Sequence, residues 1–429
     1  MGTRWTKAAA MAVLLGVVAA CSPGTAGGSG STEDQGGPVT LKVWGWRQED
    51  VAAYKKIFKL YEDKHPGVTV EYVPYKNTEY DTILKTGLTG TNGPDVAQLR
   101  SYGLLQPLAA AGSLVELDST VPELKEFSSD VLDGARSDRD QKVYGVPFAI
   151  QTMHVIYNKD IYAKHGLSVP TTWAEMTAGF DKLKAAGVVP VAATVTDTWM
   201  LPIQQEIFGA TRYGGIEQRD RMLRGEGKFT DEAWVASIGT WLSTKPYWEP
   251  QATGVGYDDA KAQFASGKAA TFPGGVWEVA GFKTANPQLN IGVFNAPPAP
   301  DAVSQKTLVP GFVDGSFGVS SKTSNQAAAL ELVRWMAGAE FGQAFTDELQ
   351  QISPVPGVTP KGEVLAQAVK DYAANPSPYL TYAYFSAGTP GAWDLASKEL
   401  SNAVLGKVTP AQAAASIQRG VDQWFKPKS

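Results

Sequence analysis

The stretch that decides the fold is VTLKVWGWRQEDVAAYKKIFKLYEDKHPGVTVEYVP, residues 39–74. Val39 to Trp44 is a short apolar run, the pattern of a buried strand. Tyr54, Ile57, Phe58 and Tyr61 then recur at i, i+3, i+4 and i+7, which places one apolar stripe along a helix. His65-Pro66-Gly67 stops that helix. Val68, Val70 and Tyr72 alternate as a second strand ending at Pro74. A further helix is expected near Glu79 to Leu88, followed by Gly93-Pro94 and a strand from Asp95 to Leu99. Strand, helix, strand, helix, strand implies a parallel sheet with right-handed crossovers.

Beyond that unit the pattern changes. Two short strands are expected, Tyr144 to Pro147 and Thr152 to Tyr157, with a helix from Asp160. Thr172-Trp173-Ala174-Glu175 is a capping box opening a helix that runs to Ala186. Val188 to Ala193 is strand-like. Helices follow at 230–244, 258–266 and 276–285, and strands at 270–273 and 291–295. The Pro-rich Ala296 to Pro300 links to a strand at Phe317 to Val319, then a helix from Asn325 to Met336. Further helices are predicted at 340–349, 361–374, 392–405 and 410–425.

The first residues read as a targeting segment. Arg4 and Lys7 precede the uncharged apolar run Ala8 to Val18, too short to span a bilayer and suited to a signal-peptide core over residues 1–20. Val18-Ala19-Ala20-Cys21 resembles the lipobox of bacterial lipoproteins. That resemblance implies cleavage before Cys21, acylation of its thiol and a membrane anchor; an ordinary signal peptide is the plainer alternative. Cys21 is the one cysteine of the chain, so no disulfide is expected. The Gly/Ser/Thr-rich segment to Pro38 (21–38 with Cys21) reads as a flexible tether. No other run is long and apolar enough for a transmembrane helix.

Composition excludes other classes. The net charge of −5 gives no nucleic-acid footprint. The three histidines, His65, His154 and His165, lack metal-ligand spacing, so no metal site is expected. No phosphate-loop or G-x-S-x-G signature occurs, and no cofactor is expected.

Several motifs in order resemble the family 1 extracellular solute-binding proteins of ABC importers, the group that includes maltose-binding protein. They are Gly93-Pro94-Asp95-Val96, Tyr144-Gly145-Val146-Pro147 with Tyr157-Asn158-Lys159-Asp160, and Pro170-Thr171-Thr172-Trp173-Ala174-Glu175. Phe264-Ala265-Ser266-Gly267-Lys268-Ala269-Ala270 with Gly274-Gly275-Val276-Trp277 follows, then Trp393 and Gly406-Lys407-Val408-Thr409. The resemblance implies an α/β, two-lobed, type II periplasmic-binding-protein fold with a hinge and an interlobe ligand cleft. Lobe one would be 39–147 plus 312–350 and lobe two 151–307 plus 353–429, with hinge crossings at 148–151 and 307–315. It also implies a monomer on the outer face of the membrane, without catalytic residues, that passes a carbohydrate to the permease subunits of an ABC importer.

A sugar presents hydroxyls and patches of C–H, so its site needs flat aromatic faces and planar polar groups. The twelve tryptophans supply candidates. Trp46 and Arg47 follow the first strand, at the carboxyl end where open α/β sheets bind ligands, whereas Trp44 completes the strand core. Tyr102 follows the third strand and is either ligand-facing or a surface tyrosine. Gln151 sits at the first crossing, where related sugar binders often have an acid. Trp199, Trp277 and Trp393 stand at element starts and are read as a stacking platform, the two glycines before Trp277 leaving its indole uncovered. Phe312 and Asp314 occupy the second crossing, where Asp314 is either a hydroxyl acceptor or a turn residue satisfying local backbone. Trp173, Trp234, Trp241, Trp335 and Trp424 fall within helical patterns and are read as structural. Two rivals stay open: a binder of a polyamine or peptide, and a glycoside hydrolase working through two carboxylates.

Overall fold

The computed structural model describes residues 37–427. The signal segment, Cys21 and the tether through residue 36 lie outside the described residues. Val39–Gly45 forms β1, and Val68–Pro74 forms β2, paired parallel to it from Val39↔Val68 onward. Between them the helix Val51–Glu62 buries Tyr54, Ile57, Phe58 and Tyr61, the stripe expected from their spacing. After the helix Asn77–Thr89, β3 (Val96–Arg100) pairs parallel to β1. Trp44 is 9% exposed, with its ring against Tyr75, and belongs to the core.

The two short strands expected around 144–157 are one. β4 runs unbroken over Val146–Asn158, 13 residues. The Phe317–Val319 strand is likewise the end of an 11-residue strand; β5 (Val189–Val191), β6 (Ala269–Gly275) and β7 (Ile291–Phe294) precede it, making it β8 (Val309–Val319). β4 and β8 pair antiparallel from Val146↔Phe317 to Thr152↔Gly311, with register shifts on either side of Ala149. The pairing explains the error. Residues 148–151 lack clean alternation, but each edge of this ladder has a partner, so hydrogen bonding sustains the strand where periodicity does not signal it. With β9 (Pro376–Pro378) on β8 and β7 on β4, the sheet has nine strands in the order β2-β1-β3-β8-β4-β6-β5.

Two hydrophobic cores flank this ladder. One gathers Leu41, Val43, Ile57, Leu99, Phe148 and Phe317; the other gathers Val155, Phe208, Trp234, Trp241, Phe272 and Phe312. β4 and β8 each contribute to both cores, so the long strands are the covalent and hydrogen-bonded bridge between them. A third crossing is marked by the isolated antiparallel bridge Ile150↔Ile352. No helix among the described residues is long and apolar enough to cross a membrane.

The Thr172 capping box forms: its hydroxyl accepts from the Glu175 N–H at 3.1 Å and the Glu175 carboxylate accepts from the Thr172 N–H at 3.3 Å. Pattern reading missed the helix Met200–Tyr213. Every residue of it except Arg212 is buried. Gln204, Gln205 and Glu206 interrupt its apolar run in mid-helix, yet all three are buried. Glu206 lies within it, and its carboxylate accepts from the Tyr213 hydroxyl. Burial pushes the Glu206 carboxyl up to about 8, while the bonds from Tyr213 and the Leu380 N–H pull the other way.

Two predictions follow from packing and from this buried acid. A methyl on Gly315 of β8 would lie 2.5 Å from the Trp46 ring and 2.7 Å from the Leu99 carbonyl oxygen. Gly315→Ala should therefore destabilise the protein by about 1–3 kcal/mol; an unchanged urea midpoint would contradict that contact. The unfolded Glu206 carboxyl loses its proton near 4.5 and the folded one near 8, so rising pH removes stability across that window. At pH 8.5 Glu206→Gln should be more stable than the parent by on the order of 3–5 kcal/mol, and at pH 4 about equal to it. Urea unfolding at both pH values checks this, and a pH-independent difference would refute it.

Candidate functional site

The site is built from the β4–β8 ladder outward. Gln151 of β4 lies opposite Phe312 of β8. Its side-chain amide donates to Asp314 at 3.0 Å and to the Gln351 side-chain oxygen at 2.8 Å. One amide thus joins all three chain crossings. An acid at position 151 would set two carboxylates side by side, whereas the amide donates to Asp314. Its own Oε1 is buried and has no hydrogen-bond partner among the described residues.

Asp314 is half-buried in mid-strand rather than in a turn, the local-backbone alternative raised for it. Burial raises its carboxyl above the usual carboxylate value, and Arg100, Gln151 and Arg47 oppose that rise. Arg100 stands at the end of β3, its guanidinium 4.2 Å over the Trp46 ring and 3.2 Å from Asp81. Trp46 is 3% exposed: it packs against Tyr80 and Phe148, and its backbone N–H donates to the Gln98 side-chain oxygen at 3.2 Å. Position at the end of β1 does bring Trp46 beside Arg100 and β8, but within the first core.

Arg47 reaches across to the other core. It donates to Asp50 at 2.8 Å, lies 3.2 Å from Glu49, and its terminal nitrogen donates to the Trp277 carbonyl at 3.5 Å. Burial opposes its charge, yet Asp50, Glu49 and Glu278 outweigh that effect and hold the guanidinium protonated. Glu278 accepts from the Tyr257 hydroxyl and lies 3.8 Å from the Lys261 ammonium.

The aromatic wall is continuous. The Trp277 indole folds back over Gly275, where a Cβ would sit 1.7 Å from the ring. Glycine is required there by that approach, but the indole is 7% exposed and covered, not uncovered as expected. Its N–H donates to the Tyr257 hydroxyl at 2.8 Å, and Trp199 meets Tyr257 edge-on at 4.9 Å. Trp277 meets Phe312 at 6.3 Å; Phe312 meets Tyr379 at 5.4 Å and Tyr382 at 5.1 Å. Trp393 packs on Tyr382 at 5.7 Å and donates to the Tyr379 hydroxyl at 2.9 Å. Tyr102, with a positive φ of 57°, packs against Tyr382 at 6.1 Å, and its hydroxyl accepts from the Val313 N–H at 3.0 Å.

Trp46, Arg47, Tyr102, Gln151, Trp199, Trp277, Phe312, Asp314 and Trp393 therefore belong to one connected set. Pattern reading passed over Tyr257, Tyr379, Tyr382 and Gln351. The aromatic run Tyr379 to Phe385 was a usable signal for two of them. Gln351 gave none, because its partner is distant in sequence. The Tyr379 N–H donates to the Gly311 carbonyl of β8 at 3.2 Å, which ties the Tyr379–Tyr382 segment to the ladder. Among the described residues no group of His, Cys, Asp and Glu could hold a metal ion.

Residues 44–343 match the family described as bacterial extracellular solute-binding protein. The multiple sugar-binding protein of Streptococcus mutans is 26% identical over 360 residues, 80% of this chain and 81% of its own. The maltodextrin-binding protein MdxE of Bacillus subtilis is 26% identical over 354 residues, 77% of this chain and 79% of its own. A chain solved in work on xylan utilisation by Caldanaerobius polysaccharolyticus superposes with a TM-score of 0.78 at 21% identity, over 89% of this chain and 99% of that one. The fold is thus the two-lobed α/β type II binding-protein fold, with two cores on one shared sheet. With its match spanning β1 through the helix that starts at Ala339, the chain belongs to the bacterial extracellular solute-binding protein family.

Proposed function

We propose that this protein captures a carbohydrate between its lobes and delivers it to the permease of an ABC importer, without chemical turnover. One observation carries the reading. Trp277, Phe312, Tyr382 and Trp393 form one run of ring contacts, and Phe312 lies opposite Gln151, whose amide donates to Asp314, on the ladder that joins the two cores. Flat rings suit sugar C–H faces, and the carboxylate, amide and guanidinium suit adjacent hydroxyls. Names of relatives agree in chemistry, from multiple sugar-binding to maltodextrin-binding and galactooligosaccharide-binding proteins. In this reading the lobes are 39–147 plus 312–350 and 151–307 plus 353–429. They close by hinge motion at 148–151 and 307–315. The protein acts as a monomer, and acylated Cys21 anchors it to the outer face of the membrane.

A polyamine fits less well. Three acids near the ladder already face a cation: Asp50 meets Arg47 at 2.8 Å, Glu278 meets Lys261 at 3.8 Å, and Arg100 offsets the burial of Asp314. A polycationic ligand would need carboxylates free of such partners.

The ligand test is a thermal-shift screen of mono- and oligosaccharides, since a ligand that binds only the folded state raises its melting temperature. At least one sugar should stabilise the protein and be recovered intact; failure of every sugar, or recovery of cleavage products, would reject the reading. Trp277→Ala should weaken the bound sugar roughly ten- to a hundredfold, about 1–3 kcal/mol. Because the ring is buried, that variant should also melt lower without ligand, so affinity is read by titrating folded protein; undiminished affinity would remove Trp277 from the site. Cys21→Ser should shift the protein from the detergent phase to the aqueous phase, and retention in detergent would overturn the lipid anchor.

A further inference from the structure

A series of charges of alternating sign crosses from the first core to the second. It starts on Arg47 and the turn Gln48–Asp50, which lead from β1 into the helix Val51–Glu62 of the first core. Glu49 lies 3.2 Å from Arg47, and the Arg47 guanidinium reaches across to donate to the Trp277 carbonyl at 3.5 Å. The next residue, Glu278, lies 3.8 Å from the Lys261 ammonium, and Lys261 lies 2.9 Å from Asp258. Lys261 and Asp258 stand on the helix Tyr257–Ala265, whose Ala260 and Phe264 belong to the second core. The Lys261 ammonium also sits 4.5 Å over the Tyr257 ring, a second contact that orients it.

The two cations of the series each feel an acid of the opposite lobe. Glu278 is among the acids that hold the Arg47 guanidinium protonated against burial, and Glu49, after Glu278 and Asp258, does the same for the Lys261 ammonium. The like charges Asp50 and Glu278 oppose each other across the gap, and Arg47 offsets both. Each buried member also keeps a partner in its own lobe: Asp50 meets Arg47 at 2.8 Å, and Glu278 accepts from the Tyr257 hydroxyl. Separation of the lobes therefore strands no charge, and what it breaks is the attraction across the gap. Elsewhere facing groups repel: burial and the like charge of Asp81 raise the Asp394 carboxyl, so attraction is not a general property of the facing surfaces. The outer members of the series are open to salt, with the Glu49 side chain 60% and that of Lys261 28% exposed.

We propose that this series is an ionic clasp between the lobes, with Glu49 and Lys261 as its outer members, and that it biases the protein toward the closed arrangement whatever solute the cleft holds. The clasp draws on the two-lobed fold and not on the identity of the solute. Glu49 and Lys261 act on closure as positioning residues, and ionic strength sets how strongly they do so.

The test reads the lobes directly, with no ligand present. In the full chain, Cys21→Ser leaves two introduced thiols, Lys76→Cys and Thr284→Cys, at exposed positions on either side of the gap. Nitroxide labels on them report closed and open distances by pulsed electron resonance, at about 10 mM and about 1 M salt, where charges are screened beyond roughly 30 Å and 3 Å. At low salt Lys261→Gln and Glu49→Gln should each lower the closed-to-open ratio roughly two- to fivefold, and together by no more than Lys261→Gln alone. Lys261→Arg should keep the parent ratio, and high salt should bring parent and variants together. Coinciding distance distributions for the parent and Lys261→Gln at low salt, an equal loss in Lys261→Arg, or additive effects of the two Gln variants would overturn the clasp. The measurement is independent of the sugar screen, since no solute enters it.

Discussion

Much of this molecule depends on the antiparallel pairing of β4 with β8. These are the two strands that belong to both hydrophobic cores, and their ladder is interrupted only around Ala149. A bulge in such a ladder adds local twist without breaking the backbone hydrogen bonds on either side. Gln151 adds a side-chain tie at that place, linking the first crossing to Asp314 on the second and Gln351 on the third. Gln151 and Asp314 thus both lie on the strands that join the two cores.

Charges in the cleft are arranged so that burial is tolerated. An isolated buried carboxylate or guanidinium would be costly, but a hydrogen-bonded partner offsets much of that cost. Asp314 keeps company with Gln151 and Arg100, Arg47 with Asp50 and Glu49, and Glu278 with Tyr257 and Lys261. The result is a set of oriented donors and acceptors in which Asp50, Glu278 and Asp314 are each compensated. That suits a neutral, hydroxylated solute better than an ion. The Arg100 guanidinium lying over Trp46 shows the same economy: the ring receives a flat cation on one face and gives the cation a place out of water.

The aromatic wall belongs to the second core. Tyr379 and Tyr382 follow β9, which pairs with β8, and the Tyr379 N–H donates to the Gly311 carbonyl at 3.2 Å. Both rings are buried within the second core, so the wall is backed by packed side chains.

Local pattern in the sequence determined the first β-α-β-α-β unit, the capping box at Thr172 and most helices, because each depends on neighbours a few residues apart. It also placed Trp46, Arg47, Tyr102, Trp199, Trp277 and Trp393 at element ends. Tertiary structure decided the rest. It joined two expected strands into β4, because their continuity comes from hydrogen bonds to β8, over a hundred and fifty residues away. It revealed the helix Met200–Tyr213, in which the polar run Gln204-Gln205-Glu206 is buried along with the apolar residues. It covered the Trp277 indole that adjacent glycines suggested was open, because Gly275 makes room for the ring itself. And it brought Tyr257, Tyr382 and Gln351 to the site through contacts distant in sequence. Periodicity records which face of an element is buried; what that face meets is settled only when the chain closes on itself.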